Sequence, residues 1–449
     1  MKRTIVLLSF LTFGFAVSNS WAQEDNTLTY EEAVNIALRE NIQIQQQRNL
    51  LEISRAERAQ AYAQFAPSLG FEATGQQIYG RQFDQTAGDF TEITTRGSGG
   101  FGASLTIFNG FKNINQLRLS QQNASAQINL IDQTKQDVVF NVSQQYLQVL
   151  LNQELLRIQQ ANLEQQEELL ESTRTFVETG TQYNIADLYN QEAETKRVAL
   201  LVVEAENNLT ISKVQLIRLL QVDPFQEWVF SEPDVNQYEI LSESINIEEE
   251  YNQAIANRSD IKQQGNIIQA SIYRTKVVRA DYFPRLSLGY SIGSQYTSLD
   301  TVAFSDQVFD KNRASVLSLS LYIPIFSNLN NYALIQRNKQ LKNNAELDLE
   351  DLKRNVFEQL QTAAADYRTA QQRVISADAQ VKAAEQALEA EKERFRLGVS
   401  NILDLNRVNA AFVEAQATQV QADYQLIFQK TAIDYYTGKL EPTSVSDTE

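Results

Sequence analysis

"RLSLGYSIGSQ", residues 285–295, and "SVLSLSLYIPI", residues 315–325, alternate apolar and polar side chains. In the first, Leu286, Leu288, Tyr290 and Ile292 share one face; Arg285, Ser287, Gly289, Ser291, Gly293 and Gln295 share the other. In the second, Leu317, Leu319, Leu321, Ile323 and Ile325 alternate with Ser318, Ser320 and Tyr322. Successive side chains of a strand point to opposite faces, so both runs read as β-strands with one apolar and one wet face. The wet face is small and hydroxylic. Each run is about 10 residues, the length of a strand tilted through a bilayer with its apolar face to lipid.

A second pair lies earlier. Leu69, Phe71 and Ala73 oppose Gly70, Glu72 and Thr74, while Phe101, Ala103, Leu105 and Ile107 oppose Gly102, Ser104 and Thr106. The segments between paired strands, 81–97 and 298–313, are long and polar and read as loops. From the strands alone, an amphipathic sheet covered by helices fits equally well. The N-terminus shifts the balance. Lys2 and Arg3 precede an apolar run over 4–17, and Ser20-Trp21-Ala22 fits a small-x-small cleavage site. Residues 1–22 thus read as a Sec-type signal peptide, and the run is too short to span a membrane as a helix.

The composition removes several functions. The chain of 449 residues has no Cys and no His, which excludes disulfides, thiolate sites, lipidation at a cysteine and imidazole chemistry. A net charge of −17 argues against a nucleic-acid partner. No catalytic residue, metal ligand or cofactor site stands out; acidic pairs of the kind glycosidases use are not set apart from the general surface.

The chain reads as one unit written twice. "LTYEEAVNIALRENIQIQQQ" (28–47) aligns without gaps to "INIEEEYNQAIANRSDIKQQ" (245–264). In the same order Pro67 meets Pro284, "TIFNGF" (106–111) meets "PIFSNL" (324–329), Gly180 meets Gly398 and Asp187 meets Asp404. The expected organisation is a first repeat over 23–221 with strands near 67–79 and 98–108, and a linker over 222–246. A second repeat follows over 247–440 with strands near 284–296 and 315–325, then a disordered tail over 441–449. Pro67 and Pro284 mark helix-to-strand breaks, since proline removes a backbone donor.

Long helical stretches fill the rest, about 110–178 and 327–396. Tyr367, Ala370, Val374, Ala377, Val381, Ala384 and Leu388 are spaced as a coiled-coil seam. The equivalent spacing from Val149 to Val177 includes Asn152, Gln159, Gln166 and Thr173, too wet for a dry core. Such a stretch is roughly 100 Å long. Each ends at a glycine turn, "TGTQYNIADLYN" (179–190) or "LGVSNILDLN" (397–406). Gly180 and Gly398 can stop a helix in the left-handed conformation, and Asn184 and Asn401 can cap a returning helix. Four strands cannot close a barrel, and open edges are not tolerated in lipid. Three copies give twelve strands with an open lumen; two give eight with a filled one. A periplasmic coiled-coil scaffold or adaptor outside the membrane is the alternative.

This ordered set, from signal peptide to duplicated halves and Asn-Ile-x-Asp turns, resembles the TolC-type outer-membrane efflux proteins along the whole mature chain. The resemblance implies an α+β membrane protein: a homotrimer sharing a 12-stranded β-barrel in outer-membrane lipid, continued by a long α-helical barrel in the periplasm. It implies a passive exit duct of a tripartite efflux or type I secretion system. Its partners would be a periplasmic adaptor and an inner-membrane pump, its cargo drugs, small molecules or polypeptides. It places both glycine turns at the periplasmic entrance, with Asp404 and Asp187 as constricting acids and Phe395 in the entrance network. Arg407 stands where the family has its second acid. The missing N-terminal cysteine means that the protein is not a lipoprotein.

Overall fold

The computed structural model describes residues 27–84, 88–179, 184–231 and 241–440. Residues 1–22, the tail 441–449 and Gly180 lie outside the described residues. The chain begins with β1 (Thr27–Leu28), α1 (Tyr30–Glu40), α2 (Ile42–Ala63), β2 (Ser68–Asp84), β3 (Asp89–Asn109), α3 (Lys112–Thr179) and α4 (Ile185–Leu220). After β4 (Val229–Phe230) the same succession returns. It comprises α5 (Ile247–Asn257), α6 (Ser259–Arg279), β5 (Arg285–Thr297), β6 (Ala314–Tyr322), α7 (Asn330–Arg396) and α8 (Ile402–Tyr436).

Pro67 and Pro284 each sit on the residue before a strand, where the missing N–H is not needed. The return from sheet to helix uses a matched device. Gly110 and Phe111 both have positive φ before α3, and Asn328 and Leu329 do so before α7. Only glycine fits at 110, because an added Cβ would lie 2.7 Å from the Ala280 carbonyl oxygen and 2.7 Å from the Phe283 Cβ. Across this junction the Lys112 ammonium meets the Asp281 carboxylate at 2.7 Å.

The four long strands form an antiparallel sheet in the order β2-β3-β5-β6. The register pairs Leu286 with Leu321, Leu288 with Leu319 and Tyr290 with Leu317, so the apolar faces of neighbouring strands coincide. Phe71 and Phe101 likewise pair, their rings 4.9 Å apart. This face is bare: Leu69, Phe71, Phe101, Leu317, Leu319 and Leu321 are all exposed. On the polar face Gly100 pairs with Gly293, and a Cβ on Gly100 would meet the Ile292 carbonyl oxygen at 2.7 Å. Glycine at such a crossing lets a sheet bend sharply. β2 and β6 each keep one unpaired edge.

Two expectations need correction. The segment 81–97 is mostly not a loop: β2 and β3 continue as a hairpin to Asp84 and Asp89. Cross-strand aromatic contact (Phe83–Phe90, 5.4 Å) and the β-branched Thr94 and Thr95 support pairing despite the polar composition. The strand expected to reach 325 stops at Tyr322, because Pro324 has no N–H for the ladder. The segment 298–313 does leave the sheet, and it folds around buried Gln307. That side chain donates to the Val302 carbonyl at 2.7 Å and accepts from the Thr297 N–H at 3.0 Å.

Below the sheet, α3 and α7 are single helices of 68 and 67 residues. α2 and α6 pack on α3 near the sheet, and α6 also packs on α7; α4 and α8 return along α3 and α7, and α8 also packs on α3. The seam on α7 is as spaced: Tyr367, Ala370, Val374, Ala377 and Leu388 are buried, with Val381 and Ala384 half-buried. On α3, Val149, Gln166 and Thr173 are buried and the intervening seam positions half-buried. The largest core gathers where α1 and the end of α4 meet mid-α3, around Val34, Leu38, Val138, Val142, Tyr146 and Leu216. There the Tyr146 hydroxyl donates to the Leu28 and Ser231 carbonyls at 2.9 and 2.6 Å, pinning β1 and β4 to the helix. A smaller core joins Tyr367, Val374, Leu426 and Ile433 in α7 and α8.

Candidate pore entrance at the helical hairpin turns

The second hairpin turn is built in three steps. Gly398 (φ 73°) takes the left-handed conformation. Its N–H donates to the Phe395 carbonyl and the Val399 N–H to the Arg394 carbonyl, both at 3.0 Å, which satisfies the last carbonyls of α7. Asn401 then caps α8: its Oδ1 accepts from the Asp404 N–H at 2.9 Å, and its Nδ2 donates to the Asp404 Oδ2 at 3.0 Å. Ile402 and Leu405 turn inward and are buried, leaving Asp404 half-buried and Arg407 exposed. The Arg407 Nη2 lies 3.7 Å from the Asp404 Oδ1, so Arg407 pairs with the acid one turn before it. Phe395 is half-buried three residues before the glycine.

The first turn closes its acid differently. Asn184 Oδ1 accepts from the Ala186 and Asp187 N–H groups at 2.8 and 3.1 Å, and Asp187 Oδ2 accepts from the Asn184 N–H at 3.1 Å. This reciprocal capping box needs no cation. Both aspartates also sit where the helix dipole favours negative charge.

Between the turns lies a feature the sequence did not disclose. Gln191 on α4 is fully buried and donates to Gln166 Oε1 on α3 at 2.7 Å, while Asn406 on α8 donates to Gln191 Oε1 at 2.9 Å. Farther along, Asn409 on α8 donates to Asn162 Oδ1 on α3 at 2.8 Å. This layer of amides fastens the second hairpin to the first close to Asp187 and Asp404. The partners are separated by 25, 215 and 247 residues, so no local pattern announces them. Asp187, Asn184, Asp404, Asn401, Arg407, Phe395 and Gly398 thus occupy one end of the helices. Pro67 and Pro284 lie at the other, roughly 100 Å away by helix rise. Among the described residues no acidic group is clustered so as to hold a metal ion, and no helix is long and apolar enough to cross a membrane.

A bare-faced antiparallel sheet carried on two helical hairpins of this length is the fold of an outer-membrane channel subunit. The CmeC outer membrane channel of Campylobacter jejuni superposes with a TM-score of 0.77 at 17% identity, over 96% of this chain and 94% of that one. A membrane protein of Pseudomonas aeruginosa does so at 0.78 and 19%, over 96% of each. The family model described as outer membrane efflux protein matches residues 33–221 and again 251–439, and the chain belongs to that family. Outer membrane efflux protein BepC of Brucella suis is 21% identical over 357 residues, 78% of this chain and 74% of the relative.

Proposed function

We propose that three copies of this chain form the passive outer-membrane duct of a tripartite efflux or type I secretion system. β2 of one copy pairs with β6 of the next, closing twelve strands into a barrel with the glycine-lined polar face inward. The α-helices continue it as a tube through the periplasm. A periplasmic adaptor and an inner-membrane pump deliver drugs, small molecules or polypeptides to the hairpin end. The chain arose by duplication of one unit, is exported by its signal peptide and carries no lipid. One observation supports this reading: the sheet exposes its apolar face and leaves the outer edges of β2 and β6 unpaired, and lipid outside with the complementary edge of a neighbouring copy on each side would satisfy both.

In this reading Asp187 and Asp404 from three copies place six carboxylates around the entrance, a ring that favours cations. Outer membranes containing the chain should yield a species on unheated gels that collapses to monomer on boiling. A soluble periplasmic species instead would remove the duct. In planar bilayers, replacing both aspartates by alanine should lower cation selectivity by about an order of magnitude or less. Wild-type selectivity in that double variant would remove the acidic entrance but not the duct.

A further inference from the structure

Among the described residues only two charged side chains are buried, Arg258 and Glu391. Arg258 has a structural role. It grips Asp260 through two nitrogens, at 3.0 and 2.6 Å, and donates to the Tyr436 carbonyl at 3.1 Å, tying α6 to the end of α8. Glu391 has no comparable reason to be charged. It lies on the α7 seam seven residues before Gly398, where its Oε2 accepts from the exposed Arg394 at 2.8 Å. Its Oε1 is bonded by the Ser400 hydroxyl across the turn.

The first hairpin shows what this position needs for packing alone. Thr173, seven residues before Gly180, is buried there, and its hydroxyl donates to the Leu169 carbonyl of its own helix at 2.8 Å. A short neutral side chain therefore suffices for the seam. A buried carboxylate is the costlier choice; it adds the ion pair to Arg394 on its own helix and, across the turn, the bond to Ser400. The backbone bonds of Gly398 and Val399 close α7 but do not reach Ser400. Ser400 directly precedes Asn401, whose side chain holds both the N–H and the carboxylate of Asp404.

We infer that Glu391 is a positioning residue: by clamping Ser400 it fixes the turn from which Asn401 aims Asp404. This rests on the entrance reading above, and the test separates the two. The chain has no cysteine, so a single cysteine at the exposed Val399 accepts a spin label specifically. Glu391→Leu and Ser400→Ala should each raise label mobility and lower the cation-over-anion permeability ratio about twofold, and the double variant should go no further. Glu391→Gln should retain wild-type behaviour, because its amide oxygen still accepts from Ser400. Heat resistance of the trimer should not fall in Glu391→Leu, where an alkyl chain replaces a buried charge. Unchanged mobility in both single variants, or Glu391→Gln behaving like Glu391→Leu, overturns the clamp. Changed mobility with unchanged permeability overturns its hold on Asp404. A wild-type protein that forms no channel overturns the entrance reading itself.

Discussion

In the sheet Leu317, Leu319 and Leu321 point away from the protein; in the helical stem Val138, Val142 and Tyr146 point into a core between helices. Leu317, Leu319 and Leu321 are 70, 66 and 62% exposed, whereas Val138, Val142 and Tyr146 are 1, 0 and 0% exposed. One chain therefore solves the burial problem for two surroundings, and the change of sign falls at the junctions marked by Pro67, Gly110, Pro284 and Asn328. Above them, in the proposed duct, the apolar surface faces hydrocarbon; below them it packs on a neighbouring helix.

The stem side of this comparison breaks most visibly at Tyr146. Its ring packs edge-on against Tyr30 and Phe230, with centroids 5.7 and 5.8 Å away, and its hydroxyl holds the Leu28 and Ser231 carbonyls. Tyr146→Ala should cost about 3–5 kcal/mol, from the lost burial and the cavity left behind. Thermal unfolding of the purified protein reads this directly. A loss below about 1 kcal/mol would mean that the stem has no core worth the name.

The sheet side is tested by one step of sequence. Leu319 lies on the bare apolar face and Ser320 on the polar one, so lysine at each asks what surrounds that face. Leu319→Lys should cost about 2–4 kcal/mol per chain near the bilayer midplane, and Ser320→Lys close to nothing. The heat-resistant species in outer membranes should fall in the first and persist in the second. Equal effects would cancel the contrast between faces.

What the sequence discloses follows the same division. The alternation from 285 to 293 is legible because one face is wholly apolar over that stretch, and the seam from Tyr367 is legible because its spacing recurs. The outer part of the β2–β3 hairpin is not, since Gln76, Gln77, Arg81 and Glu92 destroy the alternation where, in the proposed barrel, both faces leave lipid. Phe111 and Leu329 adopt positive φ, and nothing in a bulky apolar residue signals that; only the adjacent Gly110 and Asn328 hint at the turn. At the hairpin turns, the glycine stop, asparagine cap and following acid are local and therefore readable. The pairing of Arg407 with Asp404, the Glu391–Ser400 bond and the amide layer depend on side-chain reach and on helices distant in sequence, which periodicity does not encode.

The smallest effect probes how wet the stem wall is. Asp423 on α8 is half-buried beside Ala422, a buried member of the core between α7 and α8. Burial, with the nearby Asp378 charge on α7, pushes its pKa from 3.8 up to about 6. Lys382 pairs with Asp378 at 2.7 Å. A raised pKa means that the fold holds this proton more tightly than the unfolded chain does. The resulting stability is present in full below 3.8 and is lost as pH rises through about 6. Above that pH the ionised carboxylate is a cost that Asp423→Asn removes. The expected gain at neutral pH is about 1 kcal/mol, reduced from the nominal shift because solvent screens a half-exposed group. Near pH 4 the gain should vanish, so the pH profiles of thermal unfolding converge in acid and separate between about 4 and 6. Profiles that stay parallel would show that Asp423 titrates like a surface carboxylate. The wall between α7 and α8 would then be as open to water as its outside, and only its narrow apolar seam would distinguish it from two helices standing side by side.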